Sequence, residues 1–243
     1  MTQAAIEKIL DHFRRKDALG EGVVFIADTS FVVSDRAEDF IDAFRNRRYL
    51  DFREEMKKEA EHVRKVTVLF QEHQAAVVPI EVRQEVNETI HVFHRYDQIT
   101  RRNNINPRQK PSGIPEYVAA LRTFQDASVG KDPRFCESLG HIRGIEGESQ
   151  VFASTRNHFY HEVYRRHLAK GKDIGLADIP IHTLAYLIQK QGLLTCVLTR
   201  DKDFATIARN TRANIEEHQI EMRQATLIHF QGLSYELFIY QAQ

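Results

Sequence analysis

Cysteine is nearly absent: Cys136 and Cys196 are the only two in 243 residues, and they stand far apart without a CxxC spacing. A structural zinc site or a disulfide framework is therefore unsupported, and a reducing cytoplasm is the expected setting. Long apolar runs are missing as well. No stretch approaches the roughly 18 uninterrupted apolar residues of a membrane span. The N-terminus carries no apolar signal core, so neither secretion nor membrane spanning is expected. An excess of one charge sign is also missing, with 34 Lys and Arg against 34 Asp and Glu. Proteins that grip nucleic acid across their whole surface are usually basic, so any such grip here must be local. No glycine-rich stretch has the strand context of a phosphate loop, and Gly140-His-Ile-Arg-Gly-Ile-Glu-Gly147 reads as a loop.

The chain does carry a repeated pattern of short apolar runs and amphipathic stretches. Gly22-Val-Val-Phe-Ile-Ala27 is continuous, apolar and rich in β-branched residues, which predicts a buried parallel strand ending at Asp28. Ala75-Ala-Val-Val78, stopped by Pro79, predicts a second strand. Leu194-Thr-Cys-Val-Leu198 and Ala225-Thr-Leu-Ile-His-Phe230 predict two more. Helical stripes fall between them: Ile6, Ile9, Leu10 and Phe13; Phe40, Ile41 and Phe44; Phe52, Met56, Val63, Val66 and Phe70; and Ile80 to roughly His94. A short apolar helix is expected near Leu233 to Tyr240. Strands alternating with helices predict an α/β fold with a three-layer, doubly wound parallel sheet. The expected organisation is an N-terminal helix over 1–20, a core from 21–86 and 173–243, and a mainly helical insertion over 87–172 without a clear strand. That insertion holds 14 Lys and Arg, 9 Asp and Glu, and six His, the one clearly positive stretch of a neutral chain.

Ligands of open α/β sheets bind outside the carboxyl ends of the strands. There the first strand delivers Asp28, and the Leu194–Leu198 strand delivers Asp201 and Asp203. Glu81 and Glu85 come after the Val77-Val78-Pro79 run, and Asp178 precedes an apolar helix. Carboxylates gathered this closely repel one another unless a cation compensates. Hard oxygen ligands suit Mg²⁺ or Mn²⁺, and such an ion can activate water against a phosphodiester. Nothing in the pattern supplies a covalent nucleophile.

Four places in the chain together resemble the PIN-domain ribonucleases. Ile26-Ala-Asp28-Thr-Ser30 resembles the family's strand-Asp-Thr-Ser opening, and Pro79-Ile-Glu-Val82-Arg-Gln-Glu85-Val86 its Pro-x-x-Val-x-x-Glu helix. Asp178-Ile-Pro-Ile-His-Thr-Leu-Ala185 resembles its Asp-led helix, and Thr199-Arg-Asp-Lys-Asp-Phe204 its closing Thr-x-Asp-x-Asp-Phe. The resemblance covers 22–86 and 173–230. It implies a metal-dependent endoribonuclease acting on single-stranded RNA, with Mg²⁺ or Mn²⁺ as cofactor. Asp28, Glu85, Asp178 and Asp201 are implied as catalytic carboxylates. The metal would lie on Asp28, Asp178 and Asp201, with Asp203 as outer partner, while Thr29, Ser30 and Thr199 orient ligands or waters. An antitoxin or regulatory protein and a second copy of the chain are the protein partners that the resemblance implies.

Each of these residues also has a plainer reading. Asp28 can end a strand, with Thr29 or Ser30 capping the next helix, and Asp178 and Asp203 can act as helix N-caps. Glu81 and Glu85 share a helical face and can be solvated. His91 with His94, and His158 with His161, can share helical faces as solvated or RNA-facing pairs. Arg101, Arg102, Arg108, Lys110, Arg165 and Arg166 can contact RNA phosphates or form a solvated face. Two rival functions remain open: a structure-selective DNA nuclease of the flap-endonuclease kind, and a non-catalytic PIN-like scaffold that binds RNA or protein. A haloacid-dehalogenase phosphatase needs a second Asp two residues after the first, where this chain has Ser30.

Overall fold

The computed structural model describes residues 23–33, 53–102, 113–145, 152–153, 156–157, 160, 175, 177–200, 224–231 and 234–241. In chain order the elements are β1 (Val23–Ala27), a helical turn α1 (Thr29–Val32), α2 (Arg53–Glu72), β2 (Ala76–Val77), α3 (Ile80–Arg102), α4 (Ile114–Ala127), β3 (Ser138–Leu139), β4 (Ile142–Arg143), α5 (Asp178–Gln189), β5 (Leu194–Thr199), β6 (Gln224–Gln231) and β7 (Ser234–Gln241). The expected helices over 4–19 and around 40–44 lie outside the described residues. Among those described, no helix is long and apolar enough to cross a membrane.

The fold is mixed α/β. Its five-stranded sheet runs in the order β2-β1-β5-β6-β7. The strands β2, β1, β5 and β6 are mutually parallel, and β7 is antiparallel to β6. A parallel strand covered on both faces must be apolar on both. In β1, Val24, Phe25, Ile26 and Ala27 are all buried, as are Cys196, Val197 and Leu198 in β5. From β1 the chain goes to β2 on one side and later returns to β5 on the other. The gap between β1 and β5 is therefore a topological switch point, where open α/β sheets bind ligands.

Contacts divide the chain into two compact units. One is drawn from Met1–Phe31, Gln74–Glu81 and Gly130–Gln243, and the other from Val32–His73 and Val82–Val129. The second is helical. Its α2 buries Met56, Ala60, Val63, Val66 and Phe70, a spacing that returns to one face of a helix. Val82, Val86, Ile90 and Phe93 form the buried stripe of α3 by the same rule. The face of α4 packs on α2, with Phe70 and Phe124 meeting edge to face at 6.1 Å. Phe93 and Tyr117 meet likewise at 5.5 Å. Each such ring pair contributes about 1 kcal/mol beyond its buried area.

In the sheet unit α5 packs against β5 and β6, and all twelve of its residues are buried. That explains why its apolar residues are not confined to one stripe, although Asp178, His182, Thr183 and Gln189 are buried with them.

The structure corrects three expectations. The segment after β6 is a strand, not the short helix expected near Leu233–Tyr240. Tyr235, Phe238, Ile239 and Tyr240 are β-favouring residues, and Gln231 pairs with Ser234 across only Gly232 and Leu233. A Gly-led two-residue connection is a hairpin signal that outweighs apolar content. Because β7 is antiparallel, the sheet is mixed rather than wholly parallel.

The third correction concerns the middle of the chain, which does contain strands. β3 and β4 form a two-stranded antiparallel hairpin turned by Gly140 and His141. Gly140 has φ 55°, as a tight hairpin turn requires. Gly144 lets the backbone close up behind the hairpin: its N–H donates to the Glu137 carbonyl at 2.8 Å, and a Cβ there would come within 2.6 Å of the Cys136 carbonyl oxygen. The Gln191 side chain grips β4, accepting from the Arg143 N–H at 2.9 Å and donating to the Arg143 carbonyl at 3.2 Å.

Upstream of the hairpin, the Lys131 carbonyl accepts the Val78 N–H at 2.9 Å. Asp132 accepts the Ile80 N–H at 2.8 Å, so a residue from far along the chain satisfies a first-turn donor of α3. Arg134 then ties this corner together. Its guanidinium donates to Asp132 through Nε at 3.0 Å and Nη2 at 2.6 Å, and to Glu81 through Nη1 at 2.8 Å and also through Nη2. Burial alone would lower the pKa of Arg134, but hydrogen bonds to Glu81 and Asp132 outweigh it and hold the guanidinium above its ordinary range.

Candidate functional site

The apolar run of β1 ends where the sheet ends, so its next residue is the first that can carry charge. That residue is Asp28. Its N–H donates to the Leu198 carbonyl at 3.0 Å, which extends the β1–β5 ladder by one residue beyond the Ala27–Leu198 pair. Asp28 thereby comes level with Thr199, the last residue of β5. Both are almost fully buried, with Asp28 at 4% exposure and Thr199 at 0%.

A buried carboxylate needs compensation. Thr199 Oγ1 donates to Asp28 Oδ2 at 2.6 Å, and Ser30 Oγ donates to the same oxygen. Ser30 Oγ in turn accepts the Arg200 backbone N–H at 2.9 Å. The two hydroxyl oxygens lie 3.1 Å apart. Each hydroxyl has one hydrogen. With both hydrogens on Asp28, the Ser30–Thr199 approach is a meeting of two donors at one acceptor. Hydrogen bonds to a charged acceptor contribute about 1.5–3 kcal/mol each, so this arrangement holds the carboxylate in one orientation. Thr29 is the first residue of α1 and is half-buried.

Asp178 is another buried acid of the sheet unit, at 5% exposure. It is the first residue of α5 and not its N-cap: the cap position is Ala177, which has no capping side chain. Its carboxylate Oδ2 accepts the Gly175 N–H at 2.9 Å, while its own N–H donates to the Gly175 carbonyl at 3.2 Å. The plain capping role is thus replaced by a reciprocal pair that orients the acid. A negative charge in the first turn also complements the helix dipole. Pro180 sits in that first turn, where a missing N–H costs nothing.

The two glutamates of α3 differ. Glu81 has both oxygens committed to Arg134. Glu85, one turn on, belongs to the helical unit; it is half-buried, and its backbone carbonyl accepts the Thr89 hydroxyl at 3.0 Å. Arg101 and Arg102 form the end of α3. Asp201, Asp203, Arg108, Lys110, Arg165 and Arg166 lie outside the described residues.

The chain therefore brings together Asp28, Ser30 and Thr199, 171 residues from first to last. Arg200 joins that group through its backbone, although nothing in its sequence context marks it for a role. Asp132 and Arg134 are equally silent in the sequence, since an Asp-Pro-Arg loop carries no signal of the distant helix it caps.

Among the described residues, no group of three or more His, Cys, Asp or Glu is placed to hold a metal ion. The donors present at the strand ends are carboxylate and hydroxyl oxygens, a set that fits hard cations such as Mg²⁺ or Mn²⁺. Soft sulfur is not on offer from β5, because burial pushes the Cys196 thiol well above its ordinary range and keeps it protonated. No protein-family model, no curated protein and no solved structure matches this chain.

Proposed function

We propose that the chain is a PIN-like endoribonuclease, with a three-layer doubly wound core, that hydrolyses single-stranded RNA at the acidic end of its parallel strands. The observation that carries this reading is the buried Asp28 carboxylate, oriented by Ser30 and Thr199 at the switch point between β1 and β5. Ser30 from α1 and Thr199 from β5 converge on one carboxylate oxygen from separate elements, which fixes the direction of the acid as well as compensating its burial.

Asp28, Asp178 and Asp201 hold Mg²⁺ or Mn²⁺ in this reading, with Asp203 as outer partner and Glu85 as the fourth catalytic carboxylate. When bound, the ion supplies an activated water and offsets charge on the phosphodiester. Ser30 and Thr199 fix the direction of the Asp28 carboxylate, and Thr29 contributes at the same turn. The Gly175 N–H sets the direction of Asp178. Arg101, Arg102, Arg108, Lys110, Arg165 and Arg166 give the RNA backbone its phosphate contacts.

The test is cleavage of a mixed cellular RNA pool with cut sites mapped by sequencing. Cleavage should require Mg²⁺ or Mn²⁺, stop with EDTA, and vanish in Asp28→Asn and in Asp201→Asn. Full activity in both variants would sink the site assignment. Preferential cutting of flapped DNA would transfer the same site to a DNA nuclease, and no divalent binding by calorimetry would leave a scaffold.

A further inference from the structure

We infer that Arg200 is a positioning residue of the Asp28 site, holding the turn that carries Asp28 and Ser30 against the end of β5. The inference rests on the nuclease reading for its consequence, but its geometry stands apart from any metal.

Arg200 directly succeeds Thr199 and reaches the β1–α1 turn twice. Its backbone N–H donates to Ser30 Oγ at 2.9 Å. Its guanidinium Nη2 donates to the Phe31 carbonyl at 3.2 Å. The first contact settles where Ser30's hydrogen goes. An oxygen accepting from Arg200 on one side keeps its own hydrogen for Asp28 Oδ2. The second contact addresses a weakness of α1. A helical turn of four residues is too short to satisfy its own carbonyls by helical bonding, so an outside donor steadies it. Phe31 is itself buried at 1% exposure, and its N–H donates back to the Asp28 carbonyl at 3.1 Å. Asp28, Ser30 and Phe31 thus form one turn, held at the end of β5 by the consecutive residues Thr199 and Arg200. Thr199 uses its side chain on the carboxylate, and Arg200 uses its main chain and side chain on the turn.

The outcome is a division of labour at the end of β5. Thr199 orients the acid; Arg200 orients the residue that orients the acid. Groups that support metal-binding carboxylates from behind typically change metal affinity about 10–100-fold when removed. A single carbonyl acceptor does not need the planar fork of a guanidinium, so lysine should replace arginine here in part.

The test compares the full-length wild type with Arg200→Ala and Arg200→Lys. The first readout needs no metal: hydrogen exchange of metal-free protein, resolved to the peptide 28–33. Arg200→Ala should speed exchange there about tenfold, the effect of one lost hydrogen bond. The β1 peptide 23–27 should be unchanged, and Arg200→Lys should fall between the two. The second readout is Mn²⁺ binding by calorimetry, where Arg200→Ala should weaken affinity about 10–100-fold while the unfolding midpoint falls by no more than one lost hydrogen bond accounts for. Unchanged exchange over 28–33, or an equal loss of protection across the whole sheet unit, overturns the positioning role. Wild-type protein that binds no Mn²⁺ overturns the nuclease reading instead, while the exchange result still decides the role of Arg200.

Discussion

Replacing Arg134 by methionine keeps most of the side chain's volume and removes only the guanidinium, so it isolates the buried ion cluster at the start of α3. The guanidinium is 5% exposed and serves two carboxylates, those of Asp132 at 8% and Glu81 at 20%. Without it, two acids remain side by side in a poorly hydrated corner. Breaking a buried pair by removing one partner costs about 3–5 kcal/mol, because an uncompensated charge is left behind. Glu81 can turn partly to water, which places Arg134→Met toward the lower end, at about 3 kcal/mol. Asp132 keeps the Ile80 N–H and the backbone N–H of residue 134, at 2.8 and 2.9 Å, so α3 retains its cap. Against a total stability of about 5–15 kcal/mol, the loss is large. Urea unfolding followed by far-ultraviolet circular dichroism suits a chain without tryptophan. Adding Glu81→Gln and Asp132→Asn to the methionine variant should restore much of the midpoint, because both stranded charges vanish. A loss below about 1 kcal/mol, the value of an exposed pair, would refute the reasoning. So would a triple variant no more stable than Arg134→Met alone. The pH dependence has a definite sign. The Arg134 pKa is raised on folding despite burial, by Glu81 and Asp132. Its contribution is therefore complete below the ordinary guanidinium range, and raising pH from neutral to moderately alkaline should not erode it.

The two thiols should react very differently. Cys196 is fully buried and burial raises its pKa, so a thiol reagent at mildly alkaline pH should label the half-buried Cys136 first and Cys196 only on unfolding. Equal labelling in native protein would refute the β5 core placement. Because the folded thiol titrates later than the unfolded one, its stabilising contribution is present below the ordinary thiol range and is lost as pH rises through and above it. Gly144→Ala should destabilise by about 1–3 kcal/mol, since its Cβ would sit 2.6 Å from the backbone oxygen of Cys136, which cannot swing aside. A midpoint equal to wild type in thermal unfolding would show that the hairpin closes differently.

Much of the sheet could be read from residue type alone. The runs ending at Asp28 and Thr199 are short, largely apolar and rich in β-branched residues, as a strand covered on both sides requires. Period and burial likewise made α2 and the start of α3 legible in Met56, Val63, Phe70, Val82 and Val86. The strand β7 was not legible, because its apolar residues suit either a helix or a strand until β6 lies beside them.

By itself, then, the sequence determined which segments could be buried and that Asp28 ends the first strand, and it set the expectation of which chemistry such acids would suit. These are local properties of side-chain period and polarity. Tertiary structure alone decided the partners. It set Thr199 on Asp28, and Arg200 on Ser30 and Phe31. It also placed Asp132 at the head of α3 and committed Glu81 to Arg134. Hydrogen bonds between residues as far as 171 positions apart depend on strand order and register. Neither has a local signature, since one parallel neighbour satisfies a strand's ladder as well as another until the whole sheet is assembled.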